Sequence, residues 1–302
     1  MSSEPRFSPV LGLSVAILAI TFGAILVRWS HAPSSVAAFY RVLFTGLPLL
    51  PLAIWRYRDD FRRVGFRDYI FATLAGIALA LHFAAWFESL EWTSVAASVT
   101  LVQAQPVFVA LGAWLVLRER VTRRMSIGIG VAVIGMVAMS LGEFLGGVLV
   151  GPRPLYGNGL ALFAAVMAAG YVLAGRSLRQ RVALIPYVVI VYGVCTIALL
   201  AIVITEGHAL VGYPAREWLL FAALAIGPGL IGHTMINWVL AHLESSVVSV
   251  SLLGEPVGAT LLAMFLLAEI PTAFTIVGGV VVLSGILLTS SDSTVFGTGG
   301  PR

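Results

Sequence analysis

Glu255 asks most of the chemistry in this chain. It stands in Ser249-Val-Ser-Leu-Leu-Gly-Glu-Pro256-Val257, about ten residues into an apolar run over 246–268. A charge at the centre of a bilayer costs about 2.5–3.5 kcal/mol or more, so such a residue should face a protein interior or water. There a carboxyl group suits the binding of a proton or an amine; otherwise it is a neutral, hydrogen-bonded acid that locks its helix. About 150 residues earlier, Ser98-Val-Thr-Leu-Val-Gln-Ala-Gln-Pro106-Val107 has the same character with one residue more. In that copy Gln105 and Pro106 stand where Glu255 and Pro256 stand in the other. Proline removes a backbone donor and frees a carbonyl for a ligand or for bending. Paired interruptions at matching places in two halves of a membrane chain point to a central binding site.

Other polar residues in apolar runs extend this constellation. His82 and Trp86 are four apart and share a helix face, as do His233 and Asn237. An offset of 151 maps one pair onto the other, so both can face one cavity from opposite halves. Histidine titrates near neutrality and can carry protons or bind a carboxylate; a ring held by a backbone carbonyl is the plain alternative. Two separated histidines without a third ligand make a weak metal case, and no metal is expected. Arg41, about seven residues or roughly 10 Å from a helix end, either clamps a substrate carboxylate, neutralises Glu255 or snorkels to the headgroups. Tyr171 and Trp86 would give apolar contact. Gly227-Pro228-Gly229 should break its helix as Pro106 and Pro256 break theirs, making these residues hinge candidates.

The elements that must position these residues are membrane helices. Mean hydropathy is +1.00 and charged residues make up 11% of the chain, against roughly 25% in soluble domains. Windows near the ~20 apolar residues that cross a bilayer recur along the length. They place ten helices near 9–28, 34–55, 68–89, 95–117, 124–142, 157–178, 186–205, 217–240, 246–268 and 271–290, an all-α membrane protein. All 18 basic residues are arginine, which excludes lysine chemistry such as a Schiff base. Cys195 is the single cysteine, which excludes an internal disulfide framework. No cleavable signal peptide is evident after the short leader, so the first run is expected to stay as a span.

Arginines between spans two and three, four and five, and six and seven, with Arg6, put thirteen on one side; Arg28, Arg153 and Arg216 fall on the other. Arginine near short loops marks the cytoplasmic face, so both termini should be cytoplasmic, in a bacterial inner membrane. The loop near 241–245 should share that face but carries no arginine. This topology, rather than nucleic-acid binding, accounts for the net charge of +4.

At a fixed offset of 150, residues 106–135 match ten of thirty positions in 256–285, among them Pro106/Pro256, Glu119/Glu269, Gly128/Gly278 and Gly135/Gly285. Each half then holds five spans, an odd number, so the second half enters the membrane inverted. The expected units are 1–145, a Gly/Pro-rich connector 146–156, 157–290 and a disordered tail 291–302. Glu119 and Glu269 read as turn residues at span ends. Trp29, Trp55, Trp92 and Trp218 suit an aromatic belt, and glycines 128, 130, 135, 278, 279 and 285 suit close packing of the fifth and tenth helices.

Two five-helix copies, each with a Pro-Val helix, an acidic turn (Arg118-Glu119-Arg120, Ala268-Glu269-Ile270) and a glycine-bearing last helix, resemble the EamA family of the drug/metabolite transporter superfamily. Arg41 in Phe39-Tyr-Arg-Val-Leu matches an arginine often found there. The sequence departs from the family at Ile20-Thr-Phe-Gly-Ala24, where a tryptophan and small polar residues are common. The resemblance implies a ten-helix bundle that transports small organic metabolites, often amino acids and often outward. A secondary transporter would bind substrate at the midplane and expose it alternately. Proton coupling is open, and no cofactor is expected. A GxxxxGK[ST] loop is absent from the sequence, so ATP is not the direct driver. A passive channel is the alternative. An intramembrane enzyme fits less well, because the sequence has neither HExxH nor a clear Ser-His arrangement.

Overall fold

The computed structural model describes residues 8–117, 122–145, 151–178, 181–232, 235, 239 and 251–290. Among them the chain is helical, with no strand. In a bilayer the backbone must satisfy its own hydrogen bonds, which helices do within one segment. The elements are α1 (Pro9–Trp29), α2 (Ser34–Gly46), α3 (Leu49–Arg56), α4 (Arg58–Arg62), α5 (Phe66–Trp92), α6 (Val95–Val102), α7 (Gln105–Leu117), α8 (Arg123–Leu145), α9 (Pro154–Leu178), α10 (Leu184–Thr205), α11 (Ala215–Leu224), α12 (Gly254–Leu267) and α13 (Ala273–Ser290).

Against the expected ten crossing helices, the described residues give eight helices of crossing length and composition, and α12 and α13 as shorter apolar ones. Four of the expected helices are not continuous, the ninth turning at Leu253 before α12 starts. The second breaks between α2 and α3. The fourth breaks at residues 103–104, and the eighth passes from α11 into a π-helical stretch, Ala225–Gly232, that contains Pro228. The connector 146–150, the Glu119 turn, the loop 241–245 and the tail 291–302 lie outside the described residues.

The break in the fourth helix follows from Pro106. Its ring would meet the carbonyl four residues back, that of Val102, and it has no N–H to return there. α6 ends at Val102 and α7 restarts at Gln105, which leaves proline in a first turn, where its missing donor costs little. Pro256 likewise falls in the first turn of α12. Both prolines start helices; neither kinks the middle of one.

The helices interleave the two halves of the chain. The most extensive contacts are α8 with α13, α5 with both α9 and α10, α10 with α2, and α1 with both the π-helical stretch and α12. The α8–α13 seam is built from small residues. A Cβ on Gly135 would sit 2.6 Å from the Val282 nitrogen, and one on Gly128 would sit 2.5 Å from Thr289 Oγ1. Gly278 and Gly285 face Met139 and Ala132 in the same way. Gly130 and Gly279 are not part of this seam: a Cβ on Gly130 meets nothing within 4 Å, and one on Gly279 only touches Thr100 at 3.7 Å.

At one end of the bundle polar contacts tie seven elements together. Arg28, on the last turn of α1, reaches the Leu90 carbonyl at 2.7 Å and Glu269 at 3.2 Å. Glu269 also accepts the Val95 N–H at the start of α6, at 2.6 Å. Ala268 before it takes φ 53°, a left-handed residue that ends α12 and turns Glu269 inward. Glu217, in the first turn of α11, accepts Ser30 Oγ at 2.6 Å. Asn158 of α9 accepts Thr93 Oγ1 at 2.7 Å and donates to Ser140 Oγ at 3.3 Å. Of the four tryptophans expected in an interfacial belt, Trp55 is exposed. Trp92 donates to Glu88 at 2.7 Å, and Trp218 packs edge-on against Tyr40.

Two stability effects follow. Gly135→Val and Gly285→Val should each lower the thermal midpoint of the detergent-solubilised protein, by overpacking worth about 1–3 kcal/mol; Gly130→Val should leave it within error. Glu269→Ala removes the acceptor of the half-buried Arg28 guanidinium and of the Val95 N–H and should cost about 1–3 kcal/mol by the same measurement, against no more than about 1 kcal/mol for breaking the exposed pair Arg62–Asp59.

Candidate functional site

The break at Pro106 and the start of α12 at Gly254 put two short polar stretches against each other. Gln103 lies in the unwound turn after α6, and its side-chain nitrogen donates to Glu255 Oε2. Glu255 is 8% exposed and lies in the first turn of α12, where the unpaired N–H groups of a helix start favour a carboxylate. The counterpart of Glu255 in the first copy, by the repeat, is Gln105. The structure assigns that contact to Gln103, because the two extra residues of turn carry Gln105 onto α7, where it is half-buried. α1 closes this region from one side: a Cβ on Gly254 would be 3.8 Å from Ile17, and one on Gly258 2.9 Å from Thr21.

Arg41 is buried on α2, with no snorkelling to the surface. Its guanidinium carbon lies 4.5 Å from the ring centre of Phe83, 5.5 Å from that of Trp86 and 5.6 Å from that of Phe87. Three aromatic faces of α5 therefore hold the cation, an arrangement worth up to about 2 kcal/mol per contact when water is excluded. Glu255 and Arg41 lie within reach of each other's charge, yet no direct ion pair joins them.

His82 stacks on Trp86 with ring centres 6.1 Å apart, and its Nδ1 lies 3.0 Å from the Ala164 carbonyl of α9. A carbonyl only accepts, so Nδ1 carries the hydrogen in that contact. The ring thereby fixes Trp86 and bridges two halves of the chain. Tyr171 of α9 stacks on Tyr187 of α10 with centres 6.5 Å apart, and both Tyr171 and Tyr192 lie within electrostatic reach of Cys195. Arg41, Tyr192 and Cys195 are neighbours in the same sense. The structure thus gathers His82, Trp86, Arg41, Tyr171 and Glu255 around one interior region. His233 and Asn237 lie outside the described residues. Gly227, Pro228 and Gly229 form the π-helical stretch against α1 and α2: Pro228 packs beside Gly23, and Gly229 faces Thr45.

Above this region, at the end of the bundle that holds the Arg28 network, opens a cavity of about 1080 Å³. Its walls carry Glu88, Glu91, Glu206, His31 and His208, and Ala84 and Ala85 line it one step along α5 from Phe83 and Trp86. Ser34 and Ser35, the first residues of α2, donate to Glu88 and Glu206, each at 2.5 Å. Sequence reasoning missed this acidic mouth. Its residues come from the ends of α5 and α10 and the α1–α2 connection, and only folding brings them together.

Comparison with known proteins fits a bundle of this kind. The model of the EamA-like transporter family matches twice, over residues 8–141 and 155–291. An uncharacterized transporter of Archaeoglobus fulgidus is 23% identical over 286 residues, covering 93% of this chain and 96% of that protein. The pseudopaline exporter CntI of Pseudomonas aeruginosa is 26% identical over 219 residues, covering 71% of this chain and 72% of its own length. A solved crystal structure superposes with a TM-score of 0.61 at 19% identity, over 97% of this chain and 100% of that one, a likeness of fold. With both halves matched and nearly the whole length covered, the chain belongs to the EamA-like transporter family.

Proposed function

We propose that the chain is a secondary transporter that exports small organic metabolites, amino acids foremost, by alternating access between two inverted five-helix repeats. The observation that carries this reading is the Gln103–Glu255 hydrogen bond, a buried polar contact between the interruptions of two apolar helices, one from each half. In a bilayer such a contact is retained where charge or substrate must be handled. The pattern of helix contacts supports the inversion. Exchanging the halves turns the α5–α9 contact into that of α1 with the π-helical stretch, and turns the contact of α9 with α6 and α7 into that of α1 with α12. α8 with α13 and α2 with α10 map onto themselves. The name of the Pseudomonas relative supports outward movement of a metabolite.

In this mechanism substrate sits between Glu255 and Arg41, with Trp86, Tyr171 and His82 around it and His233 and Asn237 facing from the second half. Glu255 binds the substrate amine or a proton and releases it when the cavity opens to the other side. The residues Gly227, Pro228 and Gly229 and the restarts at Pro106 and Pro256 are where the helices can bend, because the regular hydrogen-bond ladder is already interrupted there. The protein resides in a bacterial inner membrane with both termini cytoplasmic, which puts the acidic mouth on the outer face.

Proteoliposomes loaded with unlabelled amino acids should accumulate the labelled counterpart by saturable counterflow, with a rate that responds to a pH gradient. Glu255→Gln should abolish this flux, or free it from the gradient, while inserting at wild-type level. Normal flux in that variant at every pH would make Glu255 structural only, and unsaturable conductance would favour a channel.

A further inference from the structure

We infer that Arg41 and Trp86 together form the seat for one substrate carboxylate, so that this site requires a monoanionic group at one end of its cargo. The inference rests on the carrier reading above and specifies the substrate class it handles. Arg41 is 5% exposed and Trp86 6% exposed. Arg41 Nη1 and Trp86 Nε1 are both shielded from solvent, and neither has a hydrogen-bond partner. Leaving a buried donor unsatisfied costs about 1–3 kcal/mol, and more when it is charged. Here two such donors, from α2 and α5, belong to side chains already in contact, the guanidinium lying 5.5 Å from the Trp86 ring centre.

Among the described residues no group supplies the missing acceptor. Glu255, the carboxylate within electrostatic reach, is engaged by Gln103 and forms no ion pair with Arg41. His82, held by its contact with Ala164, stacks on the Trp86 ring and restricts its movement. An acceptor able to satisfy both donors needs two oxygens and a negative charge, since charge-assisted bonds to guanidinium are the strong ones. A carboxylate meets this with one oxygen on each donor. A dianion such as phosphate would bring a second charge against a single arginine among Phe83, Trp86 and Phe87, and that charge would stay buried and uncompensated. The indole, which sequence reasoning treats as an apolar wall, is then a hydrogen-bond donor to substrate, and Arg41 is a clamp with Glu255 at the opposite pole.

The test uses the purified protein in lipid nanodiscs and two matched probe pairs, benzoate against benzamide and L-leucine against L-leucinamide. Binding is followed by titration calorimetry and by the shift in thermal midpoint. The carboxylates should bind and stabilise, with the amides weaker by about tenfold or more; inorganic phosphate should do neither. Trp86→Phe keeps the ring and removes the N–H, and should weaken benzoate about tenfold while leaving benzamide unchanged. Arg41→Gln should remove the preference for carboxylate altogether. Equal binding of acid and amide, unaltered preference in Trp86→Phe, or no carboxylate binding would overturn the seat. Counterflow of labelled leucine separates this from the carrier reading. Flux that persists in Trp86→Phe with the acid-to-amide preference intact would sink the seat and spare the carrier. Trp86-dependent benzoate binding without any flux would uphold the seat and sink the carrier.

Discussion

A hydrocarbon interior offers no water to backbone or side chain, so every polar group left there must find a partner in the protein. In this chain that constraint bears hardest at the Gln103–Glu255 contact. Each residue lies where an apolar helix has been interrupted beside a proline, and each interruption frees backbone groups that a continuous helix would have used. Replacing either partner alone would strand the other, at a cost that exceeds the modest net worth of the bond itself. Around the pair, α1 packs against α12, and α6 packs against both α9 and α12.

The packing around it divides into a fixed part and parts with room to change. The α8–α13 seam brings glycine backbones into such close contact that a single added carbon would collide, a geometry with one good arrangement. Around Arg41 the contacts are aromatic faces, which tolerate sliding better than interlocked backbones do. The π-helical stretch carrying Pro228 and the restarts at residues 103–105 supply bendable points between them. On the proposed mechanism, rocking would turn about the seam while the network of Arg28, Glu269 and Val95 breaks and reforms at the end that opens.

Much of this was legible in the residues. Hydropathy located the apolar helices, because burial in lipid demands long apolar runs, but not where four of them break. Glu255 stood out because its cost in such a run needs an explanation, and Pro106 and Pro256 marked the interruptions because their rings forbid helix four residues back. The partner of Glu255 was not legible to the residue. A fixed offset equates Gln105 with Glu255, whereas the unwound turn at 103–104 shifts the register and offers Gln103. Four of six glycines fell in the seam as spacing suggested, but spacing could not say that Gly130 faces away. Glu269 looked like a turn residue, and its partner Arg28 lies far away in the sequence, as Thr93 does from Asn158. The unpartnered donors of Arg41 and Trp86 could not be read at all, since whether a donor is satisfied depends on what folding brings near it.

The most direct test of the central claim is chemical labelling of the Glu255 carboxyl by dicyclohexylcarbodiimide, an apolar reagent that attacks protonated carboxyls inside membranes, followed by peptide mass spectrometry. Glu255 should be modified, at a rate that rises as the pH falls. A mixture of amino acids that drives counterflow should slow the reaction severalfold. Modification of Glu255 at the same rate with and without those amino acids would contradict the account, because substrate would then not occupy the space between the two broken helices.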